Sequence, residues 1–208
     1  MQDQIILYNG PNSPFGRKTK VTALAQEVDL EEKIINVYEA DFIDKHNPLR
    51  KIPTLVINQS SITDSDNICL YLDSISKKDT LFQKKNYWEI MNVTSIANGL
   101  MESVLERRME TIRPENEKSK NFISKQEIRI ERTIKWIENS WDNYNNDYLT
   151  MDQIAIACAL DYTIFRFSNK WKCLNQMLIE WFEIFINKET ALNNAIIFGT
   201  RGISNLGV

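Results

Sequence analysis

The stretch LTMDQIAIACAL, residues 149–160, constrains the fold more than any other part of the chain. Thr150 followed by Gln153 has the spacing of a capping box, in which the threonine hydroxyl accepts from the Gln153 N–H and the glutamine side chain reaches back. Leu149 and Ile154 stand at the two positions of a hydrophobic staple. Beyond this start, IAIACAL is small and apolar on nearly every face, so the helix must be surrounded by other elements. It is expected to be the buried axis of a helical domain. Its neighbours fit that role. Ile130, Ile134, Ile137 and Trp141 lie on one helix face, as do Leu178, Trp181, Phe182 and Phe185. Residues 84–188 carry no strand signal, and 84–208 is expected to be all-α.

Residues 1–77 are patterned differently. IILY at 5–8 reads as a buried strand, and Val21, Leu24, Ala25 and Val28 place an amphipathic helix over 16–28. KIINVY at 33–38 is a second strand, followed by an irregular polar segment, DFIDKHNPLRK, at 41–51. TLVIN at 54–58 is a third strand, QSSIT supplies a turn and a short fourth, and Ile68, Leu72 and Ile75 mark a helix over 66–76. Strand, helix, strand implies a parallel pair with a right-handed crossover. The polar, pattern-poor run that follows places a linker at 78–83. The fold class is thus an α/β N-terminal domain joined to an all-α C-terminal domain.

Composition narrows the function. With 208 residues, 43% apolar and 25% charged, the chain has the make-up of a soluble globular protein. A net charge of −3 argues against a nucleic-acid partner, which usually leaves a basic domain. No apolar run approaches the roughly 20 residues that span a bilayer, so no membrane partner is expected. MQDQIILYNG lacks the basic start and long apolar core of a secretory signal, which favours a cytoplasmic protein. The three cysteines, Cys69, Cys158 and Cys173, form no CxxC pair, and His46 is the single histidine. Neither a disulfide framework nor a metal site is expected.

Three short segments carry a resemblance. SPFGRK at 13–18, NPLRKIPTL at 47–55 and TDSDNICLYL at 63–72 are similar, in order and spacing, to the segments that mark serine-type glutathione transferases. LTMDQIAIA is similar to the start of that family's buried C-terminal helix. MESVLERRMETIRP at 101–114 resembles an acidic-rich helix before "RP" in small bacterial YibF-like members. The resemblance implies a thioredoxin-like N-terminal domain that holds glutathione as co-substrate, a helical domain that holds a small electrophile, a homodimer and no metal.

It also implies roles for particular residues. Ser13 donates its hydroxyl to the glutathione sulfur and holds it as thiolate, aided by the N-terminus of the first helix. On its own chemistry Ser13 is equally a helix cap. Asn12 is a second candidate donor to the sulfur, and Phe15 belongs to the same glutathione-binding segment. Pro53 is expected to be cis, which turns the backbone of Ile52 toward the cysteinyl group of glutathione. Lys51 meets the glycyl carboxylate. Asp64 takes the γ-glutamyl ammonium and Ser65 its carboxylate, and one of the two caps the following helix. Met101, Leu105, Arg108, Tyr162, Phe165 and Arg166 are the second-substrate candidates, the arginines favouring an anionic or polar electrophile. Two departures stand out: Arg50 replaces a usual glycine, and Asp66 adds negative charge next to Ser65. The expected reaction is conjugation of the glutathione thiolate to an electrophilic carbon. The alternatives are a non-enzymatic docking protein, or glutathione-dependent peroxidase or dehalogenase work in the same site.

Overall fold

The computed structural model of the protein describes residues 4–140, 148–167 and 176–188. The chain divides into two units, Met1–Leu81 and Phe82–Val208.

In the first unit the elements run β1 (Ile5–Asn9), α1 (Pro14–Ala25), β2 (Glu31–Ile34), β3 (Thr54–Ile57), β4 (Ser60–Thr63) and α2 (Ser65–Ile75), with a short 3₁₀ turn at Asp41–Lys45. The sheet order is β2-β1-β3-β4. β1 and β2 are parallel, as the helical crossover requires, and the other pairs are antiparallel. Strand alternation sends Leu7 and Asn9 of β1 to one face and Tyr8 to the other. Leu7 packs with Ala23, Leu55, Ile68 and Leu72, so α1 and α2 cover that face. On the opposite face Tyr8 meets Phe42 and His46, with ring centroids 5.2 and 6.1 Å apart. The segment that reads as irregular in sequence is therefore the cover of the second face.

Element boundaries differ from expectation where a neighbour decides them. The strand expected over 33–38 is Glu31–Ile34. Its only partner among the described residues, β1, ends at Asn9, whose carbonyl takes the Ile35 N–H at 2.8 Å. α1 begins at Pro14 rather than 16 because Ser13 caps it and proline suits the first helical position. It stops at Ala25, and Glu27 follows with φ 52. The linker is fastened to this unit. Asp73 accepts from Thr80 Oγ1 at 2.6 Å, Leu81 N at 2.7 Å and Gln26 Nε2 at 2.6 Å, and Ser76 Oγ donates to Gln26 O at 2.8 Å.

The second unit contains α3 (Tyr87–Thr111), α4 (Lys120–Asn139), α5 (Met151–Arg166) and α6 (Gln176–Lys188). α3 packs against both α4 and α5. Every residue of α5 from Met151 to Thr163 is buried, polar Asp152, Gln153, Asp161 and Thr163 included, as expected of a helix apolar on nearly every face. At its start the Thr150 N–H donates to Gln153 Oε1 at 3.1 Å, and Asp152 Oδ1 takes the Gln153 N–H at 3.0 Å. Ile130, Ile134 and Ile137 of α4 are fully buried. Trp141, Cys173 and residues 189–208 lie outside the described residues.

Candidate functional site

Three segments meet at one end of the sheet of the first unit. β1 ends at Asn9, and the turn Gly10–Ser13 leads into α1. The register that pairs Tyr8 with Thr54 sets the residues just past β1 beside those just before β3. That contact is tight: a Cβ on Gly10 would lie 2.4 Å from Ile52 Cδ1. Thr54 pairs in turn with Thr63, so Asp64 and Ser65 follow directly at the same end. The N-termini of α1 and α2 thus open at one place, with the Ile52–Pro53 peptide between them. That peptide is cis.

Ser13 is half-buried and caps α1, its Oγ accepting from the Gly16 N–H at 3.1 Å. Its hydroxyl proton remains for a second partner, because a serine oxygen both accepts and donates. Asn12 and Lys51 are exposed, and Phe15 is half-buried. A depression of about 210 Å³ adjoins Ser13, lined also by Asn9, Arg17, Lys20 and Glu32. The capping residue of α2 is Asp64: its Oδ1 accepts from the N–H groups of Asp66 and Asn67 at 2.9 and 3.3 Å, with φ 72. A non-glycine residue at that φ is strained, and such strain clusters at binding sites. Asp64 Oδ2 is unengaged among the described residues, and the Ser65 hydroxyl takes no part in the cap.

Several supports are not legible as site residues in the sequence. Asn47, buried, donates from Nδ2 to Lys51 O at 2.8 Å and to Thr54 Oγ1 at 3.0 Å, bracing both sides of the cis bond. Asn9 holds the Gly10 N–H through Oδ1 at 2.8 Å and donates to Glu32 at 2.8 Å. The signals for both are weak ones, a strand-end asparagine and an Asn-Pro step. Lys18, fully buried, donates to Asp66 Oδ1 and ties the start of α1 to that of α2.

Both departures resolve. Arg50 does take the left-handed conformation of a glycine position, φ 49. Its guanidinium turns to Asp44 at 2.6 and 2.7 Å and to Asp41 at 2.8 Å. Those bonds raise the Arg50 pKa and lower that of Asp44. Asp66 is answered by Lys18. Cys69, on the buried side of α2, is inert: burial pushes its thiol up to about 11, and Thr22 donates to its sulfur at 3.3 Å.

Of the residues expected to face a second substrate, Met101 is fully buried and Tyr162 is 1% exposed. Met101 lies on the α3 stripe with Ala97, Leu100 and Val104, so it serves the core of the helical unit. Leu105, Arg108, Phe165 and Arg166 are half-buried and keep accessible surface. The Arg166 guanidinium lies 4.0 Å from the Phe165 ring centroid.

Residues 7–79 match the family described as Glutathione S-transferase, N-terminal domain. The chain is 27% identical over 160 residues to the uncharacterized GST-like protein YibF of Escherichia coli K12, covering 74% of this chain and 79% of that protein. Among solved structures, a glutathione S-transferase from Methylobacillus flagellatus KT with GSH bound has a TM-score of 0.86 at 23% identity, covering 93% of this chain and all of that one. A Pseudomonas fluorescens Pf-5 family member with bound glutathione has a TM-score of 0.83 at 24% identity, covering 93% and 99%. Residues 7–79 thus match the glutathione S-transferase N-terminal domain family, and the mixed four-stranded sheet with the helical second unit is the fold of the glutathione transferase structures.

Proposed function

We propose that the protein is a cytoplasmic, homodimeric glutathione transferase of the serine type, conjugating glutathione to a small electrophile and serving in detoxification. The observation that carries this reading is the convergence of Ser13, the cis Ile52–Pro53 peptide and Asp64–Ser65 at one end of the sheet. Bound glutathione in the Methylobacillus and Pseudomonas proteins supports the same ligand here.

Each group then has a task. The Ile52 backbone pairs with the cysteinyl residue as an added strand would. Asp64 Oδ2 accepts from the γ-glutamyl ammonium. The Ser65 hydroxyl and the N-terminus of α2 hold its carboxylate. Lys51 meets the glycyl carboxylate. Asn12 and Phe15 border the ligand. The Ser13 hydroxyl donates to the sulfur, and the N-terminus of α1 adds positive potential. Together they favour thiolate over thiol, whose ordinary pKa is about 8.5. The thiolate forms the C–S bond, and the leaving group departs with its electron pair. Arg50 and Asp66, which as unpaired charges favour a docking role, are held by Asp41, Asp44 and Lys18.

The test is calorimetric titration with glutathione, followed by rates with a panel of electrophiles. Ser13→Ala is expected to bind glutathione, raise the pKa of the bound thiol and lower kcat/KM at least about tenfold, a loss of ~1.4 kcal/mol in transition-state stabilisation. No glutathione binding at millimolar concentration overturns the reading. Full activity in Ser13→Ala removes the role of the serine.

A further inference from the structure

Lys18 is a buried charge to which the glutathione reading gives no task. It stands in the second turn of α1, fully buried, and its ammonium donates to the Asp66 carboxylate on α2. The two members depend on each other unequally. An ammonium taken out of water needs a counter-charge. The Asp66 side chain keeps 27% of its surface and stands at a helix start that suits an acid by itself. Stability does not explain the lysine. Val21, Thr22 and Ala23 of the same helix are buried without any charge, and apolar side chains in place of a buried ion pair are often as stable or more so.

What the pair does change is the charge at the start of α2. Asp64 at the cap and Asp66 at the second helical position set two carboxylates around Ser65. Both draw on the positive end of the helix, and a ligand carboxylate brought to Ser65 would meet two like charges. Asp64 commits Oδ1 to the N–H groups of Asp66 and Asn67, which leaves Oδ2 for a cation. The Asn67 side chain is turned to Thr63 O at 3.3 Å and does not offset the acids. Lys18 does, by pairing with Asp66. The start of α2 then carries one net negative charge, at Asp64, beside a helix N-terminus again able to attract an anion. An acceptor for a cation next to donors for an anion is complementary to an ammonium and a carboxylate on one carbon.

We propose that Lys18 is a specificity-determining positioning residue: by neutralising Asp66 it lets the N-terminus of α2 take a carboxylate beside the ammonium held by Asp64, so that the site selects the zwitterionic γ-glutamyl end of glutathione. This rests on the glutathione reading above. Buried as it is, Lys18 acts through Asp66 and not by contact with the ligand.

The experiment titrates the full chain calorimetrically with glutathione and with 4-aminobutanoyl-cysteinylglycine, which keeps the ammonium and the thiol and lacks the γ-glutamyl carboxylate. The readout is the ratio of the two affinities. Wild type is expected to favour glutathione at least about tenfold. Lys18→Met leaves the Asp66 charge beside the incoming carboxylate and should bring the ratio to within about twofold of unity. Asp66→Asn removes that charge and should keep the ratio at or above the wild-type value. The double variant Lys18→Met/Asp66→Asn should return the ratio to near the wild-type value although the tie between α1 and α2 is gone, which a merely structural link would not do. A ratio unchanged in Lys18→Met overturns the proposal, as does a double variant that stays as low as Lys18→Met. Should Lys18→Met fail to fold, Asp66→Asn and the double variant decide, and a ratio below that of wild type in either one overturns it. If wild type binds glutathione with a ratio near one, only the role of Lys18 falls. If glutathione does not bind, the glutathione reading falls and this proposal with it.

Discussion

A Cβ on Gly16 would stand 1.5 Å from Asn9 Oδ1, and one on Gly10 would stand 2.4 Å from the tip of Ile52. The two clashes have unequal consequences. Asn9 is held by the Gly10 N–H and Glu32, so it cannot withdraw without stranding buried polar groups. The end of an isoleucine can turn. Gly16→Ala is therefore expected to cost about 2–4 kcal/mol in urea unfolding, and Gly10→Ala less than about 1.5 kcal/mol. Adding Ile52→Val to Gly10→Ala should recover most of the smaller loss. Arg50 offers a different comparison. Glycine accepts φ 49 freely, whereas alanine keeps the strain and gives up the bonds to Asp41 and Asp44. The expected order in melting temperature is Arg50→Gly above Arg50→Ala, and an inverted order would mean that the left-handed turn carries no strain. Added salt should narrow the gap between wild type and Arg50→Gly, since the pairs lost are exposed.

At the scale of one element, the start of α5 makes a pH prediction. Asp152 is completely buried at the second helical position, and burial pushes its carboxyl up to about 6 from an ordinary 3.8, against hydrogen bonds from Thr150 and Gln153 that hold it down. The folded pKa is the higher one, so unfolding releases a proton between these values. The stabilising contribution is whole below about pH 4 and is lost as pH rises through about 6. Asp152→Asn keeps an oxygen for the Gln153 N–H and removes the buried charge. It should flatten the stability profile over that range and stabilise the protein at pH 7 by on the order of 2–3 kcal/mol. Denaturant midpoints between pH 4 and 7 check this, and parallel profiles for the two proteins refute it.

For the whole molecule, glutathione should raise the melting temperature, gaining about 2.7 kcal/mol of stability at a hundred times its dissociation constant. Asp64→Ala should lose that shift, while Arg108→Gln, in the other unit, should keep it. The parts of this molecule that are legible in sequence are those set by neighbouring residues. Ser13–Pro14 announces a helix start and IAIACAL in α5 a buried axis, while the cis Ile52–Pro53 bond follows from the family resemblance. What joins them is not local. Lys18 and Asp66 are 48 residues apart, and nothing near either one names the other. Asn47 acts through the Lys51 backbone carbonyl, which any sequence supplies there, and through the hydroxyl of Thr54. The end of β2 depends on where β1 runs out. Arg50 reads as a misfit until the acids of Asp41–Lys45 are set beside it. The polar run after α2 reads as a loose tether, yet Asp73, Gln26 and Ser76 fasten it through Leu81. The clasp fixes where the gene can be cut. A fragment coding for residues 1–77 discards Thr80 and Leu81 and strips Asp73 of two of its donors. One coding for 1–83 carries its own closure, and is the piece to express when the first unit is wanted alone.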